Sequence, residues 1–417
     1  MAERGLAGQV RFGGRVGARA GAASTFALPR MSGQTLRQAA GLLGALLLAA
    51  CSTVVPRTQA PPPPPTEQPQ QPEVTPGLPT DTERHRVALL VPMSGNNAGV
   101  GRSIANATTM ALLDTKTERL RITTYDTARG AAQAARQAIA EGNKLILGPL
   151  TGDEARQVGP IARAASVPVI SYSNDASVAG DGVYLLGYSP EQSVDRVIDL
   201  AHARGMSNFA ALVPRGVYGQ RAGDAFLAKV RAVGGTVVAV ETFDRSASGV
   251  QAAVRKLAAS SSYDALLIAD VGRIALQAAP LVRTNGGTDA RILGTELWAT
   301  ETGLSANPAL RGAWFASVGN GLYRTLAARY RTSYGAAPYR QASLGYDSVL
   351  LAVRIAENWR PGTAFPVARL SDSEGFSGID GAFRFGRDGI AERALEVQEV
   401  GASGTSIIDP APRGFGQ

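Results

Sequence analysis

Apolar residues along this chain gather into short continuous runs, each followed by a stretch of helical period. The first series holds "RVALLVP" (Arg86–Pro92), "LRITTYD" (Leu120–Asp126), "KLILGPL" (Lys144–Leu150) and "VPVISYS" (Val167–Ser173), separated by "RSIANATTMALLDT", "ARGAAQAARQAIAEG" and "GDEARQVGPIARAA". The second holds "FAALVP" (Phe209–Pro214), "TVVAVETF" (Thr236–Phe243), "YDALLIADV" (Tyr263–Val271) and "RILGTEL" (Arg291–Leu297), separated by "YGQRAGDAFLAKVRAVGG", "SGVQAAVRKLAAS" and "RIALQAAPLVRTNGG". Unbroken β-branched and leucine runs predict strands buried on both faces. Strand and helix in turn predict parallel βαβ units with right-handed crossovers. The expected fold class is therefore α/β, with two doubly wound parallel-sheet lobes. About 330 residues are more than one core organises, which agrees with two lobes. Ligands of such sheets sit at the carboxyl ends of the strands, so facing lobes predict an interlobe cleft.

The chain ahead of this alternation is different in kind. Residues 31–51, "MSGQTLRQAAGLLGALLLAAC", have a polar start with Arg37, an apolar run from Gly41 to Ala50 and small residues before Cys51. The run is about half the ~20 residues of a membrane span and fits the core of a secretory signal. The ending "LAAC" resembles a bacterial lipobox, in which cleavage precedes a cysteine that receives lipid. Residues 1–50 are accordingly read as a signal peptide with Met31 as its true start, and Cys51 as the lipidation site. Residues 51–85 form a linker; "PRTQAPPPPPTEQPQQPEVTPGLPTDTE" (Pro56–Glu83) cannot bury a core and is expected to be disordered and extended. At ~3.1 Å per residue it reaches roughly 80–90 Å. The predicted location is the periplasmic face of a membrane, the outer one favoured by Ser52 after the cysteine.

Charge narrows the function further. The net charge is +8, but six arginines against one acid in residues 1–50 carry most of it. No block of five or more like charges occurs, so nucleic-acid binding is not expected. Cys51 is the only cysteine, which excludes an intrachain disulfide. The two histidines, His85 and His202, have no second ligand at metal spacing. A nucleophile elbow is absent, since "GYSPE" (Gly187–Glu191) lacks the final glycine. Asp126, Asp270 and Glu296 fall at strand ends and read as hydrogen-bond acceptors or caps. No enzyme, cofactor or metal is expected.

The loop after the first strand, Ser94 to Gly101, runs into a helix. It fits neither glycine motif for nucleotides: Asn96 stands where a phosphate loop needs its first glycine, and Ile104 where a dinucleotide motif needs its third. The loop is read as one wall of the cleft, with Ser94, Gly101 and the amides of Asn97–Gly101 placed for a carboxylate or other anion.

"VALLVPMSG", "GPLTGDEARQVGPIARAASVPVISYS", "GVYGQRAGDAF" and "LGTELW" resemble the type I periplasmic binding proteins of the Leu/Ile/Val-binding family, from about Arg86 to Val400. The resemblance implies two lobes joined by three crossing segments that close on a ligand like a hinge. It implies crossings near Tyr188–Gln192, near Ala299–Trp314 and after Gly345–Trp359. The first lobe is then 86–190 plus 300–349 and the second 191–299 plus 350–405. It implies that Thr151 and Gly152, with Ser171, Ser173 and Asn174, hold a small polar ligand from the first lobe. Tyr218, Asp270 and Glu296 would meet it from the second, Glu296 gripping an ammonium. The chain departs from the family where Val100 replaces an aromatic residue and "ADVGRI" lacks a tyrosine.

Two roles follow from the resemblance. One is the substrate-binding component of an ABC importer, handing an amino acid or similar solute to a permease. The other is that of the lipoprotein activators of penicillin-binding proteins, which use this fold to stimulate a peptidoglycan synthase. The lipid anchor and long spacer suit the second role. The absence of helical repeats between Cys51 and Arg86 suits the first. The acidic stretch "SDSEGFSGIDGAF" (Ser371–Phe383) is expected to be a surface loop entering a final hairpin.

Overall fold

The computed structural model describes residues 83–415. The signal, Cys51 and most of the Pro-rich segment lie outside the described residues.

In the first lobe, β1 (His85–Val91), α1 (Ala98–Thr115), β2 (Leu120–Asp126), α2 (Ala131–Ala140), β3 (Leu145–Leu147), α3 (Gly152–Ala164), β4 (Val169–Ser171) and β5 (Val183–Leu185) alternate as expected. The strands pair in parallel in the order β2-β1-β3-β4-β5. The reason for the continuous apolar run is visible in β1. Val87, Leu89 and Val91 face one core, while Ala88 and Leu90 face another built on the alanines of α2. Each fully buried aliphatic side chain contributes about 1.5–3 kcal/mol, and neither face has room for a polar residue.

The second lobe repeats the plan with α4 (Pro190–Ala203), β6 (Asn208–Pro214), α5 (Val217–Ala232), β7 (Thr236–Phe243), α6 (Ala247–Ala258), β8 (Ala265–Ile268), α7 (Gly272–Thr284), β9 (Arg291–Gly294) and β10 (Trp314–Ser317). In β6, Phe209, Ala211 and Val213 pack toward α4 and α5, and Ala210 and Leu212 toward α6 and α7. The chain then returns to the first lobe for α8 (Gly321–Tyr334) and α9 (Ala342–Ala356). There Leu344, Leu351 and Ile355 of α9 join the core of β1 and α1. A small antiparallel sheet of β11 (Phe376–Gly378), β12 (Gly381–Phe385) and β13 (Ala391–Arg393) adds Phe376, Phe383 and Phe385 to that core. Finally β14 (Glu396–Val400) and β15 (Thr405–Asp409) complete the second sheet, ordered β15-β14-β10-β9-β8-β6-β7.

Sheet membership moves two of the expected boundaries. The first crossing runs through Leu186–Ser189, overlapping the expected segment. The second falls at Val318–Asn320, because β10 pairs in parallel with β9 and keeps residues 300–317 in the second lobe. The third falls at Ala394–Leu395, because α9 and the small sheet are packed into the first lobe.

Candidate functional site

A cavity of about 390 Å³ lies between the lobes at the carboxyl ends of both sheets. Leu150, Tyr172 and Asn174 reach it from the loops after β3 and β4, and Arg340, Gln341 and Leu344 from the start of α9. Val271, Glu296, Leu297, Ala299 and Thr300 form the wall from the second lobe. Ser317 at the end of β10 joins that wall, and the crossings contribute Tyr188 and Val318. Its size is at the small end of the ~300–1,000 Å³ usual for ligand sites.

The acid on the second-lobe wall is closed off by its own neighbours. Glu296 opens a short 3₁₀ turn after β9. One carboxylate oxygen accepts the Ser193 hydroxyl, and the other accepts the Tyr218 hydroxyl at 3.1 Å. Tyr218 OH also lies 2.9 Å from Thr295 Oγ1. Burial pushes the Glu296 carboxyl above its ordinary range and the Tyr218 phenol well above its own. Tyr218 thus stands behind Glu296 and not on the cavity wall.

The opposite wall is organised by a buried ion pair that local sequence pattern does not predict. Arg340 Nη2 lies 2.7 Å from Asp380 Oδ1, with side chains 10% and 0% exposed. Arg340 Nη1 donates to Tyr188 OH at 3.1 Å and to Ser343 Oγ at 2.7 Å. Asp380 Oδ2 accepts Tyr188 OH at 2.6 Å and Ser343 Oγ at 2.8 Å. The guanidinium carbon of Arg340 sits 4.1 Å above the Tyr323 ring. Burial alone would raise the Asp380 carboxyl, but Arg340 and then Arg393 outweigh it and hold the group low. Asp380 belongs to the stretch expected to be a surface loop. Instead it occupies the two-residue turn between β11 and β12, whose paired ends are Gly378 and Gly381. The turn residues are Ile379 and Asp380, and Gly381 follows them with φ +91°, a left-handed conformation that glycine adopts freely.

The other expected residues are spent on local structure. Thr151 caps α3 in a reciprocal box with Glu154. Gly152 leaves room for Asp175, whose Oδ2 would meet an added Cβ at 2.7 Å. Ser171 Oγ donates to the Pro149 carbonyl at 2.9 Å and accepts Ser173 N, while Ser173 Oγ accepts Asp175 N. Ser94 Oγ donates to Asp126 at 3.1 Å. Gly101 is required because a Cβ there would lie 1.8 Å from the Pro92 carbonyl oxygen. Asp270 is buried, with Arg245 Nε 3.1 and 2.8 Å from its two oxygens. Of the expected ligand residues, Asn174 and Glu296 line the cavity, and the opening loop does not.

A polar clasp joins the lobes at Asn174, which lines the cavity. Arg221 of α5 pairs with Glu191 through Nε at 2.7 Å and Nη2 at 2.8 Å. Its Nη1 donates across to the Asn174 carbonyl of the first lobe. Ser189 of the first crossing donates to Glu191 as well.

The family model described as periplasmic binding protein matches residues 85–405, and the chain belongs to that family. A leucine-binding protein, LivK, from Thermotoga maritima is similar in structure with a TM-score of 0.58 and 20% identity, over 78% of this chain and 98% of that one. LpoA from Haemophilus influenzae is similar with a TM-score of 0.62 and 18% identity, over 78% of this chain and 59% of that one. At these identities the likeness shows the fold. An uncharacterized protein of Rickettsia prowazekii (strain Madrid E) is 29% identical over 136 residues, 32% of this chain and 36% of that protein's length.

Proposed function

We propose that this protein is a lipid-anchored extracytoplasmic clamp that binds one small molecule between its lobes without altering a covalent bond, as the solute-binding component of an ABC importer. The observation that carries this reading is the interlobe cavity of about 390 Å³, where Leu150, Val271, Val318 and Leu344 line an apolar part and Arg340 is a charged group on the wall. An amino-acid zwitterion is a poor occupant. The acid that would grip its ammonium already accepts two hydroxyls, and Thr151, Ser171 and Ser173 are occupied in turns. Cys51 is the proposed anchor and the Pro-rich segment the proposed spacer.

A second reading is the interaction module, an activator of a peptidoglycan synthase. The clasp of Arg221 on the Asn174 carbonyl favours it, because it joins the lobes with protein groups alone. Affinity capture from crosslinked envelopes separates the two: a permease partner supports the carrier, and a penicillin-binding protein supports the activator. A thermal-shift screen of amino acids, peptides, muropeptides and simple organic acids tests ligand binding itself, since a ligand of the folded state raises Tm by mass action.

A further inference from the structure

The cavity wall carries one fixed cation whose donor set is not fully used. Arg340 offers five N–H groups. Nη1 serves Tyr188 and Ser343, Nη2 is ion-paired with Asp380 Oδ1 at 2.7 Å without an aligned hydrogen bond, and Nε makes no hydrogen bond among the described residues. The surrounding rings and the ion pair hold the guanidinium in place, so little side-chain entropy remains to be lost on binding.

A second guanidinium lies behind it. Arg393 is 7% exposed; Nη2 donates to the Leu186 carbonyl, and Nε and Nη1 have no acceptor among the described residues. Its guanidinium carbon lies 5.0 Å from the centroid of the Tyr188 ring, the same ring that Arg340 approaches. The acids facing this pair are Asp380 and Asp347. Asp347 accepts Ile379 N at 2.6 Å and Asp380 N at 3.4 Å. Burial first, and the Asp380 charge second, push the Asp347 carboxyl up to about 7. The cluster thus leans positive beneath the cavity. Across the cavity, burial pushes Glu296 toward its uncharged form too. The remaining polar lining, Asn174, Thr300, Ser317 and Gln341 with the phenols of Tyr172 and Tyr188, is uncharged. Leu150, Val271, Leu297, Val318 and Leu344 supply the apolar part.

We propose that the cavity takes a small monocarboxylate with an apolar body, a single ring or a short branched chain, and that Arg340 receives the carboxylate while Leu150, Val271, Val318 and Leu344 enclose the body. This deepens the ligand-binding reading and rests on it. Arg340 is then the residue that sets specificity: it favours an acid over its neutral amide, and the closed-off Glu296 disfavours an added ammonium.

Calorimetric titration of the whole protein with benzoate, benzamide, 4-methylpentanoate and leucine tests it. The expected result is binding of at least one of the two acids, with benzamide and leucine weaker by about tenfold or more, which is ~1.4 kcal/mol. The paired variant Arg340→Gln with Asp380→Asn leaves neither partner as an uncompensated buried charge. It is expected to abolish the preference for acid over amide. The wild-type comparison stands whether or not that variant folds. Benzamide equal to benzoate, or leucine tightest of all, would overturn the anchor and leave the ligand-binding reading standing. Silence from every compound would also overturn the anchor, and silence across the wider thermal-shift screen as well would overturn the ligand-binding reading.

Discussion

The two lobes share one plan and finish it differently. The order β2-β1-β3-β4-β5 in the first is matched by β7-β6-β8-β9-β10 in the second. Both lobes also bring a helix glycine against the carbonyl of a strand-end proline: an added Cβ would lie 1.8 Å from the oxygen of Pro92 at Gly101 and 1.7 Å from that of Pro214 at Gly219. What differs is the charge each lobe keeps at the cleft. In the first, Arg340 and Asp380 form a pair sealed from solvent beside the cavity. In the second, the comparable pair of Arg245 and Asp270 has an arginine 48% exposed, and Glu296 is covered by hydroxyls. One scaffold thus gives a first lobe with a rigid buried cation and a second with a muted acid. The repeated frame sets the cleft, and the unequal finishing sets what the cleft can hold.

The largest expected effect is in the first lobe's pair. Asp380→Ala leaves Arg340 and Arg393 buried without their acid and should cost about 3–5 kcal/mol in urea denaturation. Arg245→Ala in the second lobe should cost less, about 1 kcal/mol, because Arg245 is itself half-exposed and Asp270 retains the Val271 amide. Equal losses would break the contrast between the lobes. Gly101→Ala and Gly219→Ala should each lose about 2–3 kcal/mol, since a methyl cannot share space with a carbonyl oxygen. A lobe that tolerated its substitution would not share the device. Thr151→Ala should lose about 1 kcal/mol as a helix cap, leaving ligand affinity unchanged. A fall in affinity instead would return Thr151 to the binding site.

The smallest effect concerns pH. His85 at the start of β1 is stacked on Trp359 with ring centroids 3.8 Å apart, and burial lowers its pKa. Its contribution is present above the ordinary imidazole range and lost as pH falls through the lowered folded value. His85→Phe keeps the stack and should flatten the acid-side slope of Tm against pH; an unchanged slope would exclude His85 as its source.

The frame was legible because a doubly buried strand must be apolar at successive positions, as β1 and β6 are. Turn hydroxyls such as Thr151, Ser171 and Ser173 were visible as residues, but their partners were not. A serine that caps a turn and one that binds a ligand have the same sequence neighbourhood. Arg340 and Asp380 were illegible for a related reason. Their pairing joins the start of α9 to a hairpin turn forty residues on, and a lone acid in a polar stretch reads as solvated until its partner is known. The boundaries slipped because the strand β10 and the helix α9 are assigned to a lobe by what they pack against, which local pattern does not state.

The central claim is that the interlobe cavity holds a small molecule. Native mass spectrometry of the protein purified from its own envelope, beside Ala299→Trp in which an indole fills the cavity, tests it most directly. One bound small molecule per chain in the wild type, absent from a variant that still unfolds cooperatively, is the predicted result. An equal mass for both proteins, or a molecule that stays bound to the filled variant, would contradict it.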